Sequence, residues 1–234
     1  MTPDEIVASA LSGGELSADA GQILWSATTA DWPVQNLRPL LRSDNTRAVA
    51  LGAYVAYELH WQARPLIPEL TSLLSYPEPQ VRFDAAYALT FCTTEDDAET
   101  LGQVLLLLAD ECSFVQRAAV LFIQHSDRRI LNIAMTQAAR RRPECGLSEC
   151  LRLFGKYRPD HKPIRRAQVE WALASENQVI RMFGLGLAVR PRLVIDTCFL
   201  DLASKSDDAV VSEHAEAVRK FYRPSEAVVA RLER

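Results

Sequence analysis

No stretch of this 234-residue chain approaches the roughly 18 consecutive apolar residues that a membrane-spanning helix requires. Cysteine is sparse: Cys92, Cys112, Cys145, Cys150 and Cys198 are odd in number and form no CxxC pair, which fits a reducing compartment better than a disulfide framework. The opening Met1-Thr2-Pro3-Asp4-Glu5 lacks the positive charge of a signal or transit peptide. The expectation is a cytoplasmic protein with no membrane partner. Period-two runs of valine, isoleucine and threonine are missing, so strands are not expected, and nine glycines with twelve prolines are spread without a low-complexity segment. A glycine-rich phosphate loop and a serine or cysteine nucleophile elbow are also missing, and Cys145, Cys150 and His161 match no zinc spacing. These gaps lead us to expect no cofactor, no metal and no catalysis.

What is present is a helical pattern. Hydrophobic residues make up 48% of the chain and charged residues 24%, an ordinary balance for a folded protein. Apolar positions recur at helical spacing in blocks of about 10 to 15 residues, separated by turns such as Ser43-Asp44-Asn45 and Tyr76-Pro77-Glu78-Pro79. Thr2, Pro3 and Glu5 form the signature of a capped first helix. Acidic runs such as Glu95-Asp96-Asp97 and Asp207-Asp208 suit helix starts, where they complement the dipole.

The pattern also repeats. Val81, Ala85, Ala88 and Leu89 place small or apolar residues at offsets zero, four, seven and eight, which share one helix face. The same offsets recur from anchors at 46, 115, 147, 180 and 210, so that successive anchors lie 35, 34, 32, 33 and 30 residues apart. Each such helix follows another leucine-rich one. A unit of two helices cannot cover its own apolar stripe, and stacking supplies the missing surface. The stretch PLIPELTSLLSYPEPQVRFDAAYAL, Pro65 to Leu89, resembles the HEAT-repeat family, including the HEAT-like repeats of phycobilin lyases. The resemblance spans residues 33–222. It implies an all-α, right-handed superhelix of about six helix pairs in a single domain, with residues 1–30 and 224–234 as caps and every second helix lining a concave face.

Net charge is -4 overall, but it is unevenly distributed. Residues 1–116 hold 5 basic and 16 acidic side chains, residues 117–192 hold 15 and 6, and residues 193–234 hold 6 and 8. An acidic end of -11 is thus joined to a basic middle of +9 that includes Arg128, Arg129, Arg140, Arg141, Arg142, Lys156, Arg158, Lys162, Arg165, Arg166, Arg190 and Arg192. In a stacked array this would present a basic region able to steer an acidic partner.

Offsets two, six and nine point away from the buried stripe. They select Phe83 and Tyr87 with Thr90, then Arg117, Leu121 and Gln124, then Leu153 and Lys156 with Glu149, and Met182 with Gly186 and Val189. Aromatic anchors with arginine characterise protein-binding faces. Together with Arg140, Arg141 and Arg142 they are the candidate partner-binding residues of a non-enzymatic protein-interaction module, such as a regulator, an assembly factor or an immunity protein. Arg47, Arg82 and Arg181, at offset one, are expected to contact turn acids of the next repeat. The tryptophans Trp25, Trp32, Trp61 and Trp171 are read as helix-packing residues. A second reading follows from resemblance to the HEAT-like alkylpurine DNA glycosylases, for which Tyr87, Trp171 and Asp84 would be recruited; its nucleic-acid partner suits the acidic first half less well.

Overall fold

The computed structural model describes residues 1–154, 166–190 and 198–221, and all regular structure among them is helical. In chain order the α-helices are α1 (Pro3–Ser12), α2 (Ala20–Ala30), α3 (Arg38–Leu41), α4 (Thr46–Leu59), α5 (Ile67–Leu73), α6 (Pro79–Cys92), α7 (Ala98–Leu106), α8 (Ser113–His125), α9 (Arg128–Arg141), α10 (Leu147–Phe154), α11 (Arg166–Leu173), α12 (Gln178–Ala188), α13 (Cys198–Ala203) and α14 (Ala209–Phe221). Among the described residues no helix is long and apolar enough to cross a membrane. The expected C-terminal cap, residues 224–234, and His161 lie outside the described residues.

Helix boundaries follow local chemistry. Thr2 Oγ1 accepts from Glu5 N at 3.3 Å while Glu5 Oε2 accepts from Thr2 N at 2.8 Å, the reciprocal cap expected at the start of α1. Thr94 and Asp97 form a second such box. Three later helices share one entry device. In Ser43-Asp44-Asn45, Ser175-Glu176-Asn177 and Ser206-Asp207-Asp208, the serine hydroxyl accepts from the backbone N–H two residues on, at 3.1, 3.2 and 3.3 Å. The Asn or Asp side chain then accepts from the N–H two further on, at 3.0, 2.9 and 3.0 Å. Each device satisfies donors that the first helical turn leaves open.

Packing runs along alternate helices. α2 packs on α4, α4 on α6, α6 on α8, and α8 directly on α12, which in turn meets α14. On the other side α3 meets α5 and α7 meets α9 extensively. The template stripe is buried as expected in α6 (Val81, Ala85, Ala88, Leu89) and in α8 (Val115, Ala119, Phe122, Ile123). Leu89, fully covered in this way, contributes about 2 kcal/mol from burial of apolar surface.

Three registers differ from expectation: in α10 the buried residues are Leu147, Cys150 and Phe154, with the expected Leu151 half-buried, and two other helices are shifted. Asn45 caps α4, so the third helical residue, equivalent to Val81, is Ala48 rather than Thr46; Ala48, Gly52, Val55 and Ala56 are buried while Thr46 and Tyr54 are exposed. In α14 the cap at Asp208 likewise makes Val211 and Ala215 the buried pair, one residue past the expected anchor at 210.

Arginines tie segments distant in the chain together. Arg82 is 6% exposed and pairs with Asp110, and also donates to the carbonyls of Tyr76 and Pro77 at 2.9 and 2.8 Å. Arg181 repeats the arrangement with Asp208 and the carbonyls of Ser175 and Glu176. Arg47 does not: with the corrected register its place is taken by Val49, and Arg47 is exposed. A second set covers helix C-termini, where carbonyls lack intrahelical partners. Arg64 donates to Cys92 O at 3.0 Å, Arg128 to Phe154 O at 3.5 Å and Arg190 to Ser126 O at 2.5 Å. The glycines of Gly184-Leu185-Gly186 permit close approach, since a Cβ at Gly184 would lie 2.8 Å from Ala172 Cβ on α11 and one at Gly186 2.8 Å from three atoms of Ile123 on α8.

Candidate interaction surface

Tyr54 and Tyr57 lie three residues apart on α4, and Phe83, Tyr87 and Phe91 lie four apart on α6, spacings that put each set on one helix face. Because α4, α6 and α8 pack in succession, these faces join into one row with Phe114 of α8. Ring centroids are 6.4 Å apart for Tyr54 and Tyr57, 4.3 Å for Tyr57 and Tyr87, 6.2 Å for Phe83 and Tyr87, and 4.1 Å for Phe83 and Phe114. Phe91 extends the row from Tyr87 to His60 and His125, at 5.0, 5.1 and 5.3 Å. Tyr54 and Phe114 are 41% and 37% exposed and the rings between them half-buried. Offset-stacked and tilted rings at these distances hold each other in place.

Two carboxyl groups lie beside the tyrosines. Asp84, buried on α6, accepts from Gln80 Nε2 at 2.8 Å. Burial first, and then the nearby Glu58 carboxylate, push its pKa up to about 6 against the lowering effect of the Gln80 bond. Burial and the Glu58 carboxylate likewise raise the Tyr54 phenol, and burial with Tyr87 and Glu58 raises that of Tyr57.

The sequence-derived candidates divide between different places. Phe83 and Tyr87 belong to the row. Tyr54 and Tyr57 are not among the sequence-derived candidates, which start at the helix anchored at 81; counted from Ala48 they fall at offsets six and nine. Arg117, Leu121 and Gln124 on α8 are half-buried. The Nε of Arg117 and the Nε2 of His214 on α14 are buried without a hydrogen-bond partner among the described residues, and burial followed by the Arg117 charge pushes the His214 pKa down to about 4. Leu153 is half-buried, with Gln168 donating to its carbonyl at 2.7 Å. Lys156 lies outside the described residues. Met182 is completely buried, together with Gly186 and Val189, and faces no groove. The reason is that α12 packs straight onto α8, leaving residues 182–189 covered on all sides.

Arg140, Arg141 and Arg142 are exposed at the end of α9, in the layer shared with α7 rather than beside the rings. Part of the basic middle is neutralised by acids of the preceding half: Arg129 pairs with Glu95 at 2.5 Å and Arg141 with Glu99 at 3.1 Å. Trp25, Trp32 and Trp171 pack partly buried against the core, whereas Trp61 is 71% exposed, contrary to the packing role expected of it. Trp171 belongs to α11, which packs with α12 and α13, while Tyr87 and Asp84 lie on α6 between α4 and α8. Comparison with protein-family models, with curated proteins and with solved structures found no match.

Proposed function

We propose that this protein is a HEAT-like solenoid that acts as a protein-interaction module, holding a partner protein across the rings of α4, α6 and α8. The observation that carries this reading is the continuous row of stacked and tilted rings on α4, α6 and α8, open at Tyr54 and Phe114. Partly exposed aromatic side chains fixed by one another bind at low entropic cost, and contiguous patches of them are uncommon on surfaces without a partner. The Arg82–Asp110 pair supports it by fixing α6 relative to α8, which keeps the row preorganised. The exposed Arg140 and Arg142 would add a separate contact for an acidic patch of the same partner, outside the row.

The test is affinity capture from native lysate with the full chain and with a Phe83→Ala/Tyr87→Ala variant of matched thermal stability. A protein recovered by the parent and lost from the variant supports the reading, and identical recovery by both overturns it. Binding of duplex DNA at low salt, abolished by the same two changes, would instead favour the glycosylase-like reading.

A further inference from the structure

We infer that the ring row accepts a cationic segment, an extended stretch of the partner protein that places arginine or lysine against the tyrosines. The inference rests on the interaction reading above and specifies its chemistry. Three observations carry it.

The row lies on the acidic side of the molecule, with Glu58 beside Tyr54 and Asp84 beside Tyr57. Among the described residues no Arg or Lys forms an ion pair with Glu58 or Asp84. Asp84 is bonded by the neutral Gln80, and among the described residues the charge acting on it is the like charge of Glu58. The arginines of this half are engaged elsewhere: Arg38 and Arg42 on Glu69, Arg64 on Asp97 and Arg82 on Asp110. Arg47, at the first turn of α4, is eleven residues from Glu58, about three helical turns. A negative potential therefore stands over Tyr54, Tyr57 and Tyr87; Arg117, one turn past Phe114 on α8, puts its charge on His214 rather than on Asp84.

Ring faces themselves attract cations, arginine above all, because it can stack its planar guanidinium on a phenol while reaching a carboxylate. An acidic segment or a nucleic-acid backbone would meet repulsion from Glu58 and Asp84. A purely aliphatic segment has little to enter, because the rings already fill the space between one another at 4.1 to 6.4 Å.

The experiment uses the full chain and fluorescence anisotropy with a labelled dodecapeptide of alternating arginine and glycine, and its glutamate counterpart. The arginine peptide is expected to bind and the glutamate peptide not. Glu58→Gln should weaken binding about threefold to tenfold, Tyr87→Ala by a similar factor, and Tyr87→Phe, which keeps the ring, by less than about twofold. Raising the salt from 50 to 300 mM should weaken it further. Equal binding of both peptides, no binding of either, or binding indifferent to both Glu58→Gln and Tyr87→Ala in folded protein overturns the inference. A captured partner that needs Phe83 and Tyr87 but is not displaced by the arginine peptide would sink the cationic segment and leave the interaction surface standing. If capture is also indifferent to those residues, both fail.

Discussion

Arg82 grips Asp110 with two parallel hydrogen bonds, Nε to Oδ2 at 2.9 Å and Nη2 to Oδ1 at 2.8 Å, joining the start of α6 to the turn that leads into α8. The same guanidinium holds two carbonyls of the preceding turn, so one side chain fixes three stretches of chain. Removing it leaves a nearly buried carboxylate with the Cys112 N–H, at 2.9 Å, in place of a cation, and two carbonyls without that donor.

Arg82→Ala is therefore expected to cost about 3 kcal/mol or more in urea unfolding. Arg181→Ala, whose pair with Asp208 is more open at 23% and 13% side-chain exposure, should cost about 1–2 kcal/mol. An equal or larger loss for Arg181→Ala would contradict the ranking by burial.

His214 sets an acid limit. Its pKa is pushed from 6.5 to about 4 by burial and by Arg117, so the folded chain resists a proton that the unfolded chain accepts. This penalty is absent above about pH 6.5 and grows as the pH falls toward 4. Replacing His214 with leucine should flatten stability between those limits, as read from thermal unfolding at a series of pH values; an unchanged slope would count against a buried neutral imidazole.

Asp84 works in the opposite direction. With its pKa raised from 3.8 to about 6, its protonated form favours the fold, fully so below pH 3.8, and this contribution is lost as the pH rises through 6. Asp84→Asn should stabilise the protein at pH 7.5 by about 1–2 kcal/mol and change little at pH 3.5. Destabilisation at pH 7.5 would show that the carboxylate makes a favourable contact instead.

Gly186 is held small by Ile123. Gly186→Ala should destabilise by about 1–3 kcal/mol despite alanine's better helix propensity, and Ile123→Val in the same chain should recover part of that loss. Additive effects of the two changes in thermal unfolding would place the two residues apart.

Much of the fold was readable from local chemistry. Thr2 and Glu5, the helix-start acids, the stripes of α6 and α8, and the engagement of Arg82 and Arg181 by turn acids all follow from side chains interacting within a few residues or recurring at a fixed helical offset. For the candidate surface, Phe83 and Tyr87 emerged from the same periodicity, and Tyr54 and Tyr57 fall at its offsets six and nine when α4 is counted from Ala48. The rest depended on which helix covers which. Periodicity tells which residues share a face but is silent on the neighbour that face meets, so it could not show that α12 lies on α8 and buries Met182. Nor could it show that Glu95 and Glu99 are spent on Arg129 and Arg141 while Glu58 and Asp84 pair with no cation among the described residues. By itself the sequence determined helices and their buried stripes, because those are set by spacing along one segment. Tertiary structure alone decided where uncompensated charge and open aromatic surface coincide, because both are sums over segments distant in the chain.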